Sequence, residues 1–292
     1  MRQAAAETQV GYEVPCTNHA ALPLTAATSL VDLLMRRAED SFMRRALVDP
    51  LGGRELSWGQ LLAQAVAIAE QVERAGLKRG DRVVHLGPHA ADWIVADLAC
   101  LLTGVVQVAL HADASPAEQH EQVRLFQPQG CLVSGGFSAR VLEQTGLPTV
   151  SVRVTWPDAG QAAVDQDTVR AQLAQRLADC DPEAPATVLI SSGTTGRPKG
   201  FLHSQRALAT NAVAAAAEFL DEPDDVRLAW LPQSHALARV GDLYTALVRG
   251  GCLSVVGDRQ QLLEASRRLP PTVILGVPIF FDRLAAAGRQ PR

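Results

Sequence analysis

Thr187 to Ile190 form a short β-branched and apolar run that enters Ser191-Ser-Gly-Thr-Thr-Gly-Arg-Pro-Lys-Gly200. There, hydroxyls, glycines and two cations replace every core-forming side chain. The run reads as a buried strand. Gly193, Gly196 and Gly200 let the backbone take unusual dihedrals, so successive N–H groups can converge on one concavity. A strand exit lined with donors, with Lys199 among them and no carboxylate, suits an anion and above all a polyphosphate. Ordinary surface turns also collect Gly, Ser, Thr and Pro, but a plain turn has no need of a lysine fixed between Pro198 and Gly200. The Walker A pattern does not fit, because no Gly-Lys-Ser/Thr closes the loop onto a helix.

Composition narrows the function classes. The chain has 292 residues, 47% of them hydrophobic and 20% charged, which suits a globular protein with a sizeable core rather than a disordered one. The formal net charge is −4 and the basic residues form no runs, so nucleic acid and an anionic membrane are poor partners. Cys16, Cys100, Cys131, Cys180 and Cys252 show no C-x-x-C spacing and read as reduced thiols. His85, His89, His111 and His120 have no mutual metal-ligand spacing. No stretch has the length of a membrane span and no signal peptide is evident, so a soluble cytoplasmic protein is expected.

Along the chain, residues 1–27 lack periodicity and read as a loosely ordered tail. Ser29 with Asp32 and Ser57 with Gln60 are capping pairs, and Pro50-Leu-Gly-Gly53 reads as the turn of a hairpin. Strand Arg82–Leu86, helix Asp92–Leu102, strand Val105–Leu110, helix Pro116–Phe126 and strand Cys131–Val133 give the alternation of a parallel sheet covered by helices. A less regular stretch follows, then a helix from Thr168 to Leu177, the glycine-rich loop and an alanine-rich helix over 204–220. Beyond it come a strand ending at Leu231-Pro-Gln-Ser-His235, a helix from Asp242 to Val248, a strand Cys252–Val256, a helix near 260–269 and a strand Thr272–Gly276. The fold class is α/β.

The segment Ser191–Gly200 resembles the phosphate loop of the acyl-adenylate-forming, AMP-binding superfamily. Gly80-Asp-Arg-Val83, the Trp93 helix and Gly104-Val-Val-Gln-Val108 are similar to the first sheet region of its acyl-CoA synthetases, with Ala109 where a proline is usual. Trp230-Leu-Pro-Gln-Ser-His-Ala-Leu-Ala-Arg239 and Pro271–Pro278 look like the long-chain fatty acyl-CoA synthetase branch. Ala238 stands in place of its Glu, and Ile279 in place of its Arg.

The resemblance implies an incomplete large N-terminal domain of an acyl-CoA synthetase/luciferase-like fold over 28–292, with helix-covered, mostly parallel sheets. Its first lobe would span about 28–180, and the phosphate loop and second lobe about 181–292. The family's adenine, ribose and Mg²⁺ segments and its C-terminal lid domain find no counterpart in this sequence. The implied reaction joins a fatty or other apolar acid to the thiol of CoA or a carrier protein through an acyl adenylate, with ATP and Mg²⁺ as cofactors. In that reading Ser191, Ser192, Gly193, Thr194, Thr195, Gly196 and Lys199 hold phosphate, and His235 gates or orients at the reacting centre. Turnover by this chain alone would be very weak or absent. A non-catalytic remnant, a binding module, or one half of a split enzyme completed by a second polypeptide or by self-association remain open alternatives.

Overall fold

The computed structural model describes residues 29–135, 150–155, 164–191, 198–219 and 221–288. The segment read as a tail lies outside them. Helix α1 (Leu30–Asp40) starts at Ser29, whose hydroxyl accepts the Asp32 N–H. β1 (Arg45–Asp49) and β2 (Arg54–Ser57) form the expected hairpin, with Leu47 opposite Leu56. Ser57 and Gln60 close a capping box on α2 (Trp58–Arg74), satisfying two N–H groups that a helix start leaves bare.

The alternation that follows is β3 (Arg82–Leu86), α3 (Ala91–Thr103), β4 (Val106–Ala109), α4 (Pro116–Phe126) and β5 (Gly130–Val133). With β6 (Val150–Arg153), β7 (Pro185–Ser191) and β8 (Lys199–Ser204) they make a six-stranded sheet of order β6-β5-β3-β4-β7-β8. Only the β7–β8 pair is antiparallel. Side chains alternate between its faces. Val84, Val106, Cys131 and Val133 meet Val123 of α4 on one face, whereas Val83 and Leu132 join α2 and α3 on the other. α3 and α4 thus leave β3 and β4 toward opposite faces, and the C-terminal ends of those strands bound the crevice where α/β sheets take ligands.

α5 (Gln166–Ala178) precedes β7, and α6 (Gln205–Glu218) follows β8. A five-stranded sheet then forms from β9 (Val226–Ala229), β10 (Cys252–Val255) and β11 (Val273–Ile274), joined by the N-terminal hairpin in the order β11-β9-β10-β1-β2. A continuous helical run separates β9 from β10: Ala236–Ala238, a π-helical segment Arg239–Tyr244 and Thr245–Arg249, together α7. α8 (Leu262–Arg268) and α9 (Pro278–Gly288) flank β11. One core cluster unites Leu30, Leu61 and Ile94 of α1–α3 with Val83 of the first sheet and with Leu47 and Leu253 of the second. Helices therefore lie between two sheets. The sheets interleave along the chain, since β1 and β2 belong with β9–β11 and β7 completes the earlier strands, so position 180 marks no change of sheet.

Three expectations need correction. Val150–Arg153, read as irregular, is a strand. Ser191, Lys199 and Gly200, assigned to the loop, are paired strand residues of β7 and β8. The helix expected from Asp242 already starts at Ala236. β6 takes its order from pairing with β5, and Ser191, Lys199 and Gly200 take theirs from the β7–β8 hairpin, which local periodicity does not encode.

Candidate active site

β7 runs parallel to β4 with Val188 beside Val108, then turns back through β8 with Ser191 opposite Lys199. The segment that resembles a phosphate loop thus joins two antiparallel strands at the C-terminal edge of the parallel ones. Ser192, Gly193, Thr194, Thr195 and Gly196 lie outside the described residues; Ser191 and Lys199 are exposed at its two bases. Gly200 is fixed by packing, because a Cβ there would sit 2.5 Å from the Phe126 ring.

A cavity of about 590 Å³ opens beside this hairpin, lined by Ser191, His235, His111, Glu118 and Gln122 among others. His235 follows the β9 exit, and its backbone N–H donates to Pro232 O at 3.0 Å. Its ring stacks on that of His111, which follows β4, with centroids 4.4 Å apart and planes at 23°. His111 Nδ1 lies 3.0 Å from Ser234 Oγ. Burial, and secondarily the His111 ring, lower the His235 pKa against the pull of Asp113, so His235 is neutral near pH 7. Gln122 also lines the cavity and is buried, with no hydrogen-bond partner for its Oε1 among the described residues. Sequence spacing brings Ser191, Lys199 and His235 into view but misses His111 and Gln122. The only local signal for His111 is its place just past a strand end.

Behind the site, Arg239 is fully buried. Its Nε donates to Tyr244 Oη at 2.9 Å and its Nη1 to Thr187 Oγ1 at 2.7 Å, while Nη2 donates to Asp97 and to Gln107 Oε1. Since guanidinium can only donate, Gln107 must present its carbonyl to Arg239 and its amide Nε2 to His85 Nδ1 at 2.9 Å. His85 is then the Nε2–H tautomer, donating to Ser134 Oγ at 3.2 Å. Burial, with Arg239 nearby, pushes its pKa down to about 3. Burial opposes the charge of Arg239, but Asp97, Tyr244 and Cys100 together outweigh it and raise its pKa, so the guanidinium stays protonated. The network fastens α7, whose N-cap is His235, to β4 and to Thr187 of β7.

The strands and helices define an α/β protein with a hairpin at the C-terminal edge of a mostly parallel sheet, beside a strand-end histidine. Residues 34–292 match the AMP-binding enzyme family, and the chain belongs to it. It is 27% identical to Protein Y of Streptomyces griseus over 88% of each chain. It is 30% identical to the long-chain-fatty-acid–CoA ligase FadD15 of Mycobacterium bovis, over 74% of this chain and 37% of that ligase. Among solved structures it resembles ATP-bound MatB from Rhodopseudomonas palustris, with a TM-score of 0.73 and 22% identity over 90% of this chain and 51% of MatB. The chain thus spans well under half of that ligase and about half of MatB. Among the described residues no helix is long and apolar enough to cross a membrane.

Proposed function

We propose that this chain is the phosphate-loop portion of an ATP-dependent acyl-activating ligase. A carboxylic acid and ATP would give an acyl adenylate and pyrophosphate, and a thiol of CoA or a carrier protein would then take the acyl group. One observation carries the reading: within an AMP-binding family chain, the hairpin sets Lys199 opposite Ser191, and Ser191 shares a cavity with His235. ATP would supply the electrophilic phosphorus and the leaving group. Lys199 would place a point charge on phosphate oxygens, and Ser191, Ser192, Gly193, Thr194, Thr195 and Gly196 would donate hydroxyl and backbone hydrogen bonds to them. Neutral His235 would orient the carboxylate or the thiol through a ring N–H. Among the described residues no three His, Cys, Asp or Glu side chains group to hold a metal. Mg²⁺ would therefore arrive as the nucleotide complex, held chiefly by phosphate and water.

The opposite side of β7 and of the α7 start supports an apolar acid. There a recess of about 390 Å³ is lined by Leu189, Leu208, Ala215, Phe219, Leu237 and Val240 among others. Pyrophosphate exchange with a panel of fatty and aromatic acids tests the reading. The expected result is an ATP-analogue affinity that falls about 10- to 100-fold in Lys199→Ala, the loss of one charge-assisted contact, with little or no exchange by this chain alone. Full exchange, abolished in Lys199→Ala and Thr194→Ala, would show that the chain needs no further residues. Affinity indifferent to Lys199 would sink the phosphate assignment. The 37% coverage of FadD15 favours a second reading, a nucleotide-binding module or one half of a split enzyme, in which exchange appears only on adding the complementing polypeptide.

A further inference from the structure

Within α7 the residues Arg239–Tyr244 are π-helical, a geometry that is rare and concentrated at functional positions. The segment is pinned at both ends. Arg239 is held by Thr187 and Gln107, and Tyr244 Oη donates to Asp97 at 3.0 Å. Between the pins, Val240 and Gly241 form part of the wall of the apolar recess of about 390 Å³.

Arg227 of β9 reaches that wall from behind. It donates to Gly241 O and to Asp221, and its guanidinium lies 5.9 Å from the ring centre of Phe219, another wall residue. Its Nε is buried without a hydrogen-bond partner, and Asp242 Oδ1 stands 3.5 Å away, beyond a hydrogen bond of ordinary length. Asp242 is completely buried, and neither of its oxygens is hydrogen-bonded among the described residues. One guanidinium thus lies between two buried carboxylates and a wall carbonyl, with its hydrogen bonds given to the carbonyl and to only one carboxylate.

The charged groups around Asp242 are few. Arg227 and Asp221 bear on it, and Asp225 and Arg249 bear on Asp221. α6, packed on the same segment, buries only uncharged side chains, and Leu275 packs on Gly241. His203 is the titratable group across the recess. Burial, partly offset by Arg227, puts the change of charge on Asp242 at about pH 7.

We propose that Asp242 is a proton-operated latch on this recess: its neutral form leaves Arg227 bonded to Gly241 O, and its ionised form draws Arg227 Nε into an ion pair, releases Gly241 O and reshapes the wall at Val240, Gly241 and Phe219. That the recess takes the apolar acid rests on the reading above, whereas the latch stands without it. The acid is held more tightly by the neutral form.

The ¹³C carbonyl signal of Gly241 and the ring signals of Phe219, followed in the whole chain from about pH 6 to about pH 8, read the latch with no ligand present. Both should titrate together near pH 7. Asp242→Asn should hold them at their acid-side positions, and His203→Gln should leave the titration unchanged. Asp221→Asn leaves Arg227 with one carboxylate to serve, so the midpoint should move to lower pH. Decanoate, ionised across this range, should bind about three- to tenfold more weakly at its alkaline end, and equally at both ends in Asp242→Asn. A Gly241 signal that does not titrate, one that titrates alike in Asp242→Asn, or saturable decanoate binding indifferent to pH overturns the proposal. Should Asp242→Asn fail to fold, Asp221→Asn decides, and an unmoved midpoint there overturns it. Titration of Gly241 and Phe219 without saturable decanoate binding supports the latch and removes the apolar acid from the recess.

Discussion

The imidazole of His111 lies face to face with that of His235, 4.4 Å between centroids, although the two residues leave strands of different sheets. The contact ties the first sheet to the second at the mouth of the candidate site. After burial, the His111 ring is the second cause that lowers the His235 pKa. In a pH titration by two-dimensional NMR, His235 should titrate below the 6.5 of a free histidine. His111→Phe keeps a stacked ring but no charge, so the His235 midpoint should rise while burial still holds it below that of a free imidazole. An unchanged midpoint would show that His111 contributes packing alone.

Arg239 and Asp97 form the charged centre of the buried network, both almost completely shielded from solvent. Removing one partner strands the other. Arg239→Leu should cost about 3–5 kcal/mol in urea unfolding, and Asp97→Leu a similar amount. The double variant should cost clearly less than the sum, because neither charge is then left unpaired. Additive losses would mean that the pair is not coupled.

This network also shows where sequence reading stops. Ser57–Gln60, the hairpin around Gly53 and the β3–α3–β4–α4–β5 alternation were legible because each is decided within a few residues, by caps, turn chemistry and period. Arg239 was visible only as the last residue of the family-like Trp230–Arg239 segment, before the expected helix. Its burial depends on Asp97, 142 residues away, and no local pattern encodes that. β6 and β8 escaped notice for a related reason. Only Val152 of β6 is buried, and the first four residues of β8 are exposed, so neither strand carries the alternation of a half-buried one. The motif gave the position of Ser191 and Lys199, but their pairing as strand ends comes from β7 and β8.

Arg227 is flanked by two buried carboxylates, Asp221 in direct contact and Asp242 Oδ1 at 3.5 Å from Nε. One guanidinium cannot neutralise both. Among the described residues neither Asp242 oxygen has a hydrogen-bond partner, and burial, partly offset by Arg227, raises its pKa from 3.8 to about 7. The folded state therefore holds a proton that the unfolded chain releases. Stability from this group is complete below pH 3.8, declines as pH rises, and is lost by about pH 7. Asp221, also raised by burial, acts in the same direction. Asp242→Asn should flatten the slope of unfolding free energy between pH 5 and 7.5, a window around that pKa, and be more stable than the parent chain at its alkaline end. An unchanged slope in urea denaturation across that window would remove Asp242 as its source.

Among the described residues β8 ends the six-stranded sheet, paired only to β7. Phe201 and Leu202 project to opposite faces of that edge, yet are 54% and 58% exposed, so neither face is covered at this end. Unpaired backbone groups beside exposed apolar side chains favour strand-to-strand pairing with a second copy. Light scattering should show association that grows with protein concentration. Leu202→Lys should reduce it by adding charge to the edge. Because the side chain is largely solvated already, its effect on stability should stay within about 0.5 kcal/mol, checked by urea unfolding. A chain that stays monomeric at every concentration would mean that this edge is protected despite its exposure, and an association indifferent to Leu202→Lys would place the contact elsewhere.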